Sequence, residues 1–201
     1  MRLYNKGKIT ISTIEESDKE KVLEYFSEND FNCGYETGTL RPSNEQFLQI
    51  MDDIISGKDD ESNIFVLKRN GEVIGYESMF VEYDILHIGH IAVKRSERGN
   101  GYGKLLTKLA ILVAENEDRD VVLYCNYPNS YLERLGLKTK DKVHYLYKRK
   151  GIKSKGLKRL FVKPEEYRKR KDEETNKELD RFRKFLNSDI VKSMLRDDEE
   201  K

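Results

Sequence analysis

The segment RGNGYG, from Arg98 to Gly103, stands between an apolar, β-branched run ending at Val93 and a stretch with helical spacing. In that stretch Leu105, Leu106, Leu109, Leu112 and Val113 recur on one face. Residues 121–125 then read as a second buried strand, so the unit is a strand–turn–helix–strand crossover, and its two strands should be parallel. A glycine-rich turn opening a helix leaves several backbone N–H groups unpaired at the positive end of the helix dipole. That arrangement favours a bound phosphate.

The remaining pattern surrounds this unit with antiparallel structure. Ile9 and Ile11 alternate with Thr10 and Ser12 as a first strand, and Ser17 with Glu20 reads as a capping box ahead of a helix carrying Val22, Leu23 and Phe26. Ser43 and Gln46 repeat that signal before Phe47, Ile50, Met51, Ile54 and Ile55, and Gly57 is the predicted stop. Between these helices, residues 29–42 form a long loop with Cys33, Tyr35 and Thr37, placed to flank a substrate cleft. Residues 64–68 and 73–81 are β-rich runs joined by Asn70-Gly71, the dipeptide of a tight hairpin turn. Ile85–Val93 has apolar residues on both pleat faces, as a central strand covered by helices requires. A short helix capped by Asn129 or Ser130 should end at Gly136, with residues 143–147 returning as an edge strand.

The chain has 201 residues, enough for one well-buried domain and an appendage. The expected division is a domain over 1–150 and a charged, largely helical extension over 151–201. Its charged fraction is 37%, yet the signs nearly cancel to a net +1, so composition as a whole argues for neither a nucleic-acid nor a membrane surface. No 18 consecutive apolar residues occur, so no membrane-spanning helix is expected. The two cysteines, Cys33 and Cys125, have neither disulfide-framework nor zinc spacing, which fits a reducing, cytoplasmic setting and implies no metal.

Arg98, Gly101 and Gly103 match the signature of the GNAT acetyltransferase superfamily: Arg or Gln, two residues, Gly, any residue, then Gly or Ala. The strand ending Ile91-Ala92-Val93, the Asn-Gly hairpin and the Tyr-Leu-Glu-Arg-Leu-Gly-Leu segment over residues 131–137 extend the likeness to residues 9–147. The chain thus resembles a GNAT enzyme. The resemblance implies an α/β (α+β) fold with a mixed, mostly antiparallel central sheet of about six or seven strands flanked by helices. It implies an acetyl-CoA-dependent N-acetyltransferase that transfers acetyl directly to a primary amine of a small molecule or protein. A non-catalytic acyl-CoA sensor or adaptor, acting through the charged tail on a protein or RNA partner, is the alternative.

By the same resemblance, Arg98, Gly99, Asn100, Gly101, Tyr102 and Gly103 form the cradle for the coenzyme A pyrophosphate. The backbone of Ile91 and Val93 would pair with the pantetheine arm, and an N–H there would polarise the thioester carbonyl. Asn126 matches an asparagine that contacts that arm, at a spacing to Gly136 one residue shorter than usual. His87 stands where the superfamily's histone acetyltransferases carry a glutamate base. His90 is an alternative base, but on an ideal strand it faces away from His87 unless a bulge intervenes. Glu82 and Asp84 are carboxylate alternatives. Tyr131 is the candidate acid for the departing thiolate, displaced one residue from the usual tyrosine position, which Leu132 occupies.

Two further features point elsewhere. His87-Ile88-Gly89-His90 spells the HIGH tetrapeptide of class I aminoacyl-tRNA synthetases, but it lies inside a strand-like run rather than at a helix start. After a basic stretch over 148–163, residues from Pro164 carry Leu179, Phe182, Phe185, Leu186, Ile190, Val191, Met194 and Leu195 as a narrow apolar stripe. Its interleaved acids favour packing on the domain, a second copy of the chain or a protein partner over nucleic acid.

Overall fold

The computed structural model describes residues 2–28, 42–124, 130–139, 144–151 and 159–186. The chain divides into two compact units, Met1–Val162 and Lys163–Lys201. In the first, eight strands form one sheet in the order β1-β2-β3-β4-β5-β6-β8-β7: β1 (Arg2–Lys6), β2 (Ile9–Thr13), β3 (Ser62–Arg69), β4 (Glu72–Glu82), β5 (Ile85–Val93), β6 (Asp120–Tyr124), β7 (Lys138–Thr139) and β8 (His144–Tyr147). All neighbours are antiparallel except β5 and β6, which are parallel and joined through α3 (Tyr102–Asn116), as the crossover requires. The mixed, mostly antiparallel sheet is the expected fold class. The eight strands exceed the expected six or seven because β1 and the two-residue β7 add short edges.

Local chemistry accounts for the connections. Asn70 and Gly71 adopt φ of 54° and 85° and close the β3–β4 hairpin. Helix α2 (Asn44–Ser56) starts at a capping box, with the Gln46 N–H donating to Ser43 Oγ and the Ser43 N–H to Gln46 Oε1. It stops at Gly57 in the left-handed conformation. Helix α1 (Lys19–Ser27) begins differently from expectation. Asp18, not Ser17, anchors its entry: Asp18 accepts from the Glu15 N–H at 3.2 Å and pairs with Lys68 Nζ at 2.7 Å. Likewise β8 is interior rather than an edge strand, because β7 pairs on its far side.

Two cores lie on the two faces of the sheet. On one, Val22, Tyr25 and Phe26 of α1 and Phe47 and Met51 of α2 cluster with Ile64, Val66, Tyr76 and Ala92. The other face carries buried Phe65, Leu67, Met79, Leu86, Ile88, Val121 and Leu123. Helix α3 covers it with buried Leu106, Ala110, Val113 and Ala114, and Tyr147 donates to Glu115 Oε1 across that interface at 2.6 Å. Burying side chains of this size contributes about 1.5–3 kcal/mol each before entropy is counted.

The residues 159–162, read from composition as part of a basic linker, are fastened to the domain. The Leu160 N–H donates to Glu117 Oε1 at 2.6 Å, the Val162 N–H to the Asp60 carbonyl at 2.9 Å, and fully buried Arg119 donates to the carbonyls of Tyr83 and Val162. In the second unit Pro164 opens the predicted helix, α5 (Pro164–Leu186), which carries the pairs Arg170–Glu166 and Lys171–Glu174.

Candidate active site and acyl-carrier cradle

The turn between β5 and α3 is built to leave donors exposed. After a 3₁₀ turn at Arg95–Glu97, Arg98 is extended, Gly99 has φ of 82°, and Gly101, at φ 80°, is the N-cap of α3. A glycine N-cap has no side chain to accept from the helix's first N–H groups, and no acid occupies the first turn. Those donors and the positive dipole end therefore remain available to an anion. A Cβ added at Gly99, Gly101 or Gly103 would meet nothing within 4 Å. At Gly99 and Gly101 the positive φ demands glycine. At Gly103 no such constraint acts, and the open space itself is the cradle a side chain would fill.

Side chains of the turn tie it to its surroundings. Arg98 Nε donates to the Val93 carbonyl at 3.0 Å, and Asn100 Nδ2 to the Glu97 carbonyl at 3.0 Å. Buried Glu97 pairs with Arg69 NH2 at 2.5 Å, linking the turn to the end of β3. Tyr102 is half-buried at the helix start. The shape, the donor set and the lack of an acid in the first turn of α3 fit a diphosphate, and so fit coenzyme A.

The strand leading into this turn divides in two. Residues 85–88 of β5 pair in parallel with residues 120–123 of β6, whereas residues 89–93, including Ile91 and Val93, have no β6 partner among the described residues. Asn126 lies just past β6, outside the described residues, as do Cys33, Tyr35 and Thr37. Tyr131 falls within α4 (Ser130–Arg134), whose next residue, Leu132, is fully buried.

At the division the β4–β5 register shifts: Met79 faces Ile88 and Ser78 faces His90, leaving Gly89 as an extra residue. This is the bulge that an ideal alternation leaves out. Because Ser78 and Phe80 share one face of β4 and stand opposite His90 and His87, both histidines lie on the α1–α2 face. Their surroundings differ. His90 is buried: its Nδ1 lies 2.5 Å from the Tyr76 hydroxyl and its ring meets the edge of Phe26 at 5.7 Å. His87 is partly open, with 23% of its side chain accessible, and its ring stacks on Phe80 at 4.7 Å and 3°. Burial lowers its pKa and the Glu82 carboxylate, 3.5 Å from Nε2, opposes that shift. A neutral imidazole at pH 7 can accept a proton, and of these two rings His87 is the more accessible.

Asp84 pairs with Arg149 NH2 at 3.6 Å. One carboxyl was not anticipated: Glu77, on the α3 face beside Phe65 and Ile91, is fully buried with no hydrogen-bond partner for either oxygen among the described residues. Burial pushes its pKa well above the ordinary carboxylate range. No local pattern around Glu77 signals that isolation.

Comparison with known proteins agrees with this geometry. The S5-alanine ribosomal-protein acetyltransferase of Vibrio fischeri superposes with a TM-score of 0.56 at 15% identity, over 73% of this chain and 94% of that one. The PaiA N-acetyltransferase of Thermoplasma acidophilum, solved with coenzyme A, gives 0.54 at 16% identity, over 71% and 99%. The N-acetylglutamate synthase of Neisseria gonorrhoeae, complexed with coenzyme A and L-arginine, gives 0.55 at 14% identity over 72% of this chain, which spans 34% of that enzyme. No curated protein matches. At these identities the superpositions speak for the fold. Residues 22–136, more than half of the chain, match the Acetyltransferase (GNAT) family, and the chain belongs to it.

Proposed function

We propose that the protein is an acetyl-CoA-dependent N-acetyltransferase that moves acetyl directly to a primary amine of a small molecule or protein. The observation that carries this reading is the uncapped, acid-free start of α3 behind Gly99 and Gly101, set at the open half of β5. Bound there, acetyl-CoA supplies an activated acyl thioester. The main chain and turn residues from Arg98 to Gly103 would hold its pyrophosphate, and the main chain of Ile91 and Val93 would receive the pantetheine arm, a contact the GNAT resemblance also implies for Asn126. A backbone N–H on the same strand stabilises negative charge as it grows on the acyl oxygen.

The acceptor amine is protonated in water at neutral pH and must lose a proton to attack. His87 takes that proton, and Tyr131 donates one to the thiolate that leaves. The names of the structural neighbours run from an N-acetylglutamate synthase to a ribosomal-protein alanine acetyltransferase. The fold therefore supports amine acylation and selects no single acceptor.

The test is thiol release from acetyl-CoA by the full chain against a panel of amino acids, polyamines, aminoglycosides and peptides with free N-termini. Amine-dependent release with at least one acceptor is expected. Tight coenzyme A binding without turnover on any acceptor would replace this reading with a sensor.

A further inference from the structure

His87 Nε2 is shut off from solvent and has no hydrogen-bond partner among the described residues, yet the Glu82 carboxylate stands 3.5 Å away. That is about 0.5 Å longer than an ordinary N–H···O bond. Glu82 is 54% exposed, so a small rotation of its side chain closes the gap at little cost. Its backbone, by contrast, is fixed. The next residue, Tyr83, sits at φ 52° with its carbonyl taken by buried Arg119, and the Asp120 N–H donates to the Asp84 carbonyl at 2.9 Å. The imidazole is also fixed in plane, lying flat on Phe80 at 4.7 Å.

We infer that Glu82 is a positioning residue for His87, holding the imidazole as its Nε2–H tautomer so that Nδ1 is the atom that takes the acceptor's proton. This rests on the proposed role of His87 as proton acceptor. One N–H bond of the ammonium breaks and its proton passes to Nδ1; the electron pair left on nitrogen forms the amide C–N bond, and the thioester C–S bond breaks with its pair leaving on the coenzyme A thiolate, which takes a proton from Tyr131. The resulting imidazolium keeps Nε2–H on the Glu82 carboxylate until Nδ1 releases its proton to solvent. Phe80 sets the plane in which this exchange takes place.

The other charged groups near His87 are already engaged. Asp120, opposite Ile85 on β6, pairs with Lys148 Nζ at 2.6 Å, and Asp84 with Arg149. β6 otherwise presents Val122 opposite His87, and β4 presents Phe80. Of the described carboxylates, Glu82 is the one within ion-pairing distance of the ring.

The chain has three histidines, so ¹⁵N imidazole shifts can be assigned by single substitution and followed with pH in the full-length protein. Wild type is expected to show His87 as the Nε2–H tautomer. Glu82→Gln should lower its titration midpoint and mix the tautomers, with His90 unchanged. With any amine that turns over, Glu82→Gln should lower kcat about tenfold while KM for acetyl-CoA holds, and Glu82→Asp should recover part of the loss. An Nδ1–H tautomer in wild type, or an unchanged His87 spectrum in Glu82→Gln, overturns the assignment of Glu82. If the spectra come out as expected but His87→Gln turns over like wild type, the proton-acceptor reading falls instead, and Glu82's place in the reaction falls with it.

Discussion

Along β5, residues 85–88 are paired on both sides, by β4 and by β6, whereas beyond the bulged Gly89 residues 90–93 are paired by β4 and have no described partner on β6. The paired half carries a side chain suited to acid–base work, His87, on a rigid base of two ladders. The unpaired half carries main-chain groups and runs into a turn whose glycines keep side chains out of the way. The bulge at Gly89 divides the two and turns His90 inward beneath Phe26. In the proposed function, proton chemistry falls to side chains of the closed half and carrier binding to backbone of the open half. Substitutions should therefore separate the two.

The largest effect is expected at the open half. Gly101→Asp places a carboxylate at the helix start and a Cβ at φ 80°, and should weaken acetyl-CoA binding about a thousandfold by calorimetry. The strain itself costs only about 1 kcal/mol, so circular dichroism should still report a folded protein, with an undisturbed His87 titration. In the closed half, His87→Gln should lower kcat about a hundredfold while the acetyl-CoA Kd stays within about twofold. Equal loss of rate and affinity would erase the division between the halves.

Glu77 sharpens the comparison from beneath, since it neighbours Ile91 on the α3 face. Its carboxyl holds a proton to higher pH when folded than when unfolded, so the folded state binds more protons above the ordinary carboxylate range. Stability accordingly falls as pH rises through the window between the unfolded and folded pKa values. Glu77→Met should flatten that fall and raise stability by about 1–2 kcal/mol at pH 8, with little change at pH 4, in urea melts at the two pH values. A loss of stability at pH 8 would mean that the acid has an undetected partner. The smallest effect is expected for Tyr76→Phe. It removes the hydrogen bond to His90 and should cost about 1 kcal/mol of stability, with turnover changed less than threefold. A large loss of turnover would move proton transfer to His90.

Much of this arrangement is legible in the residues. The Asn70-Gly71 turn, the Ser43–Gln46 box with its Gly57 stop and the parallel crossover all rest on local rules, and the structure follows them. The glycine turn was readable because it needs only short-range spacing. What escaped was long-range or irregular. β1 has the polar sequence RLYNK with no alternation to detect, and β7 is too short to signal that β8 lies inside the sheet. Gly89 inside a strand is a bulge signal in principle, but which face His90 then takes depends on the register with β4. The clamp of Arg119 on Tyr83 and Val162 joins residues 36 and 43 positions apart, which no local pattern encodes.

Calorimetric titration of the full chain with acetyl-CoA bears most directly on the claim that the uncapped start of α3 grips a diphosphate carrier. A saturable heat at one site per chain, abolished by Gly101→Asp and preserved in His87→Gln, is the predicted result. No heat and no thermal stabilisation in a folded wild-type sample would contradict it.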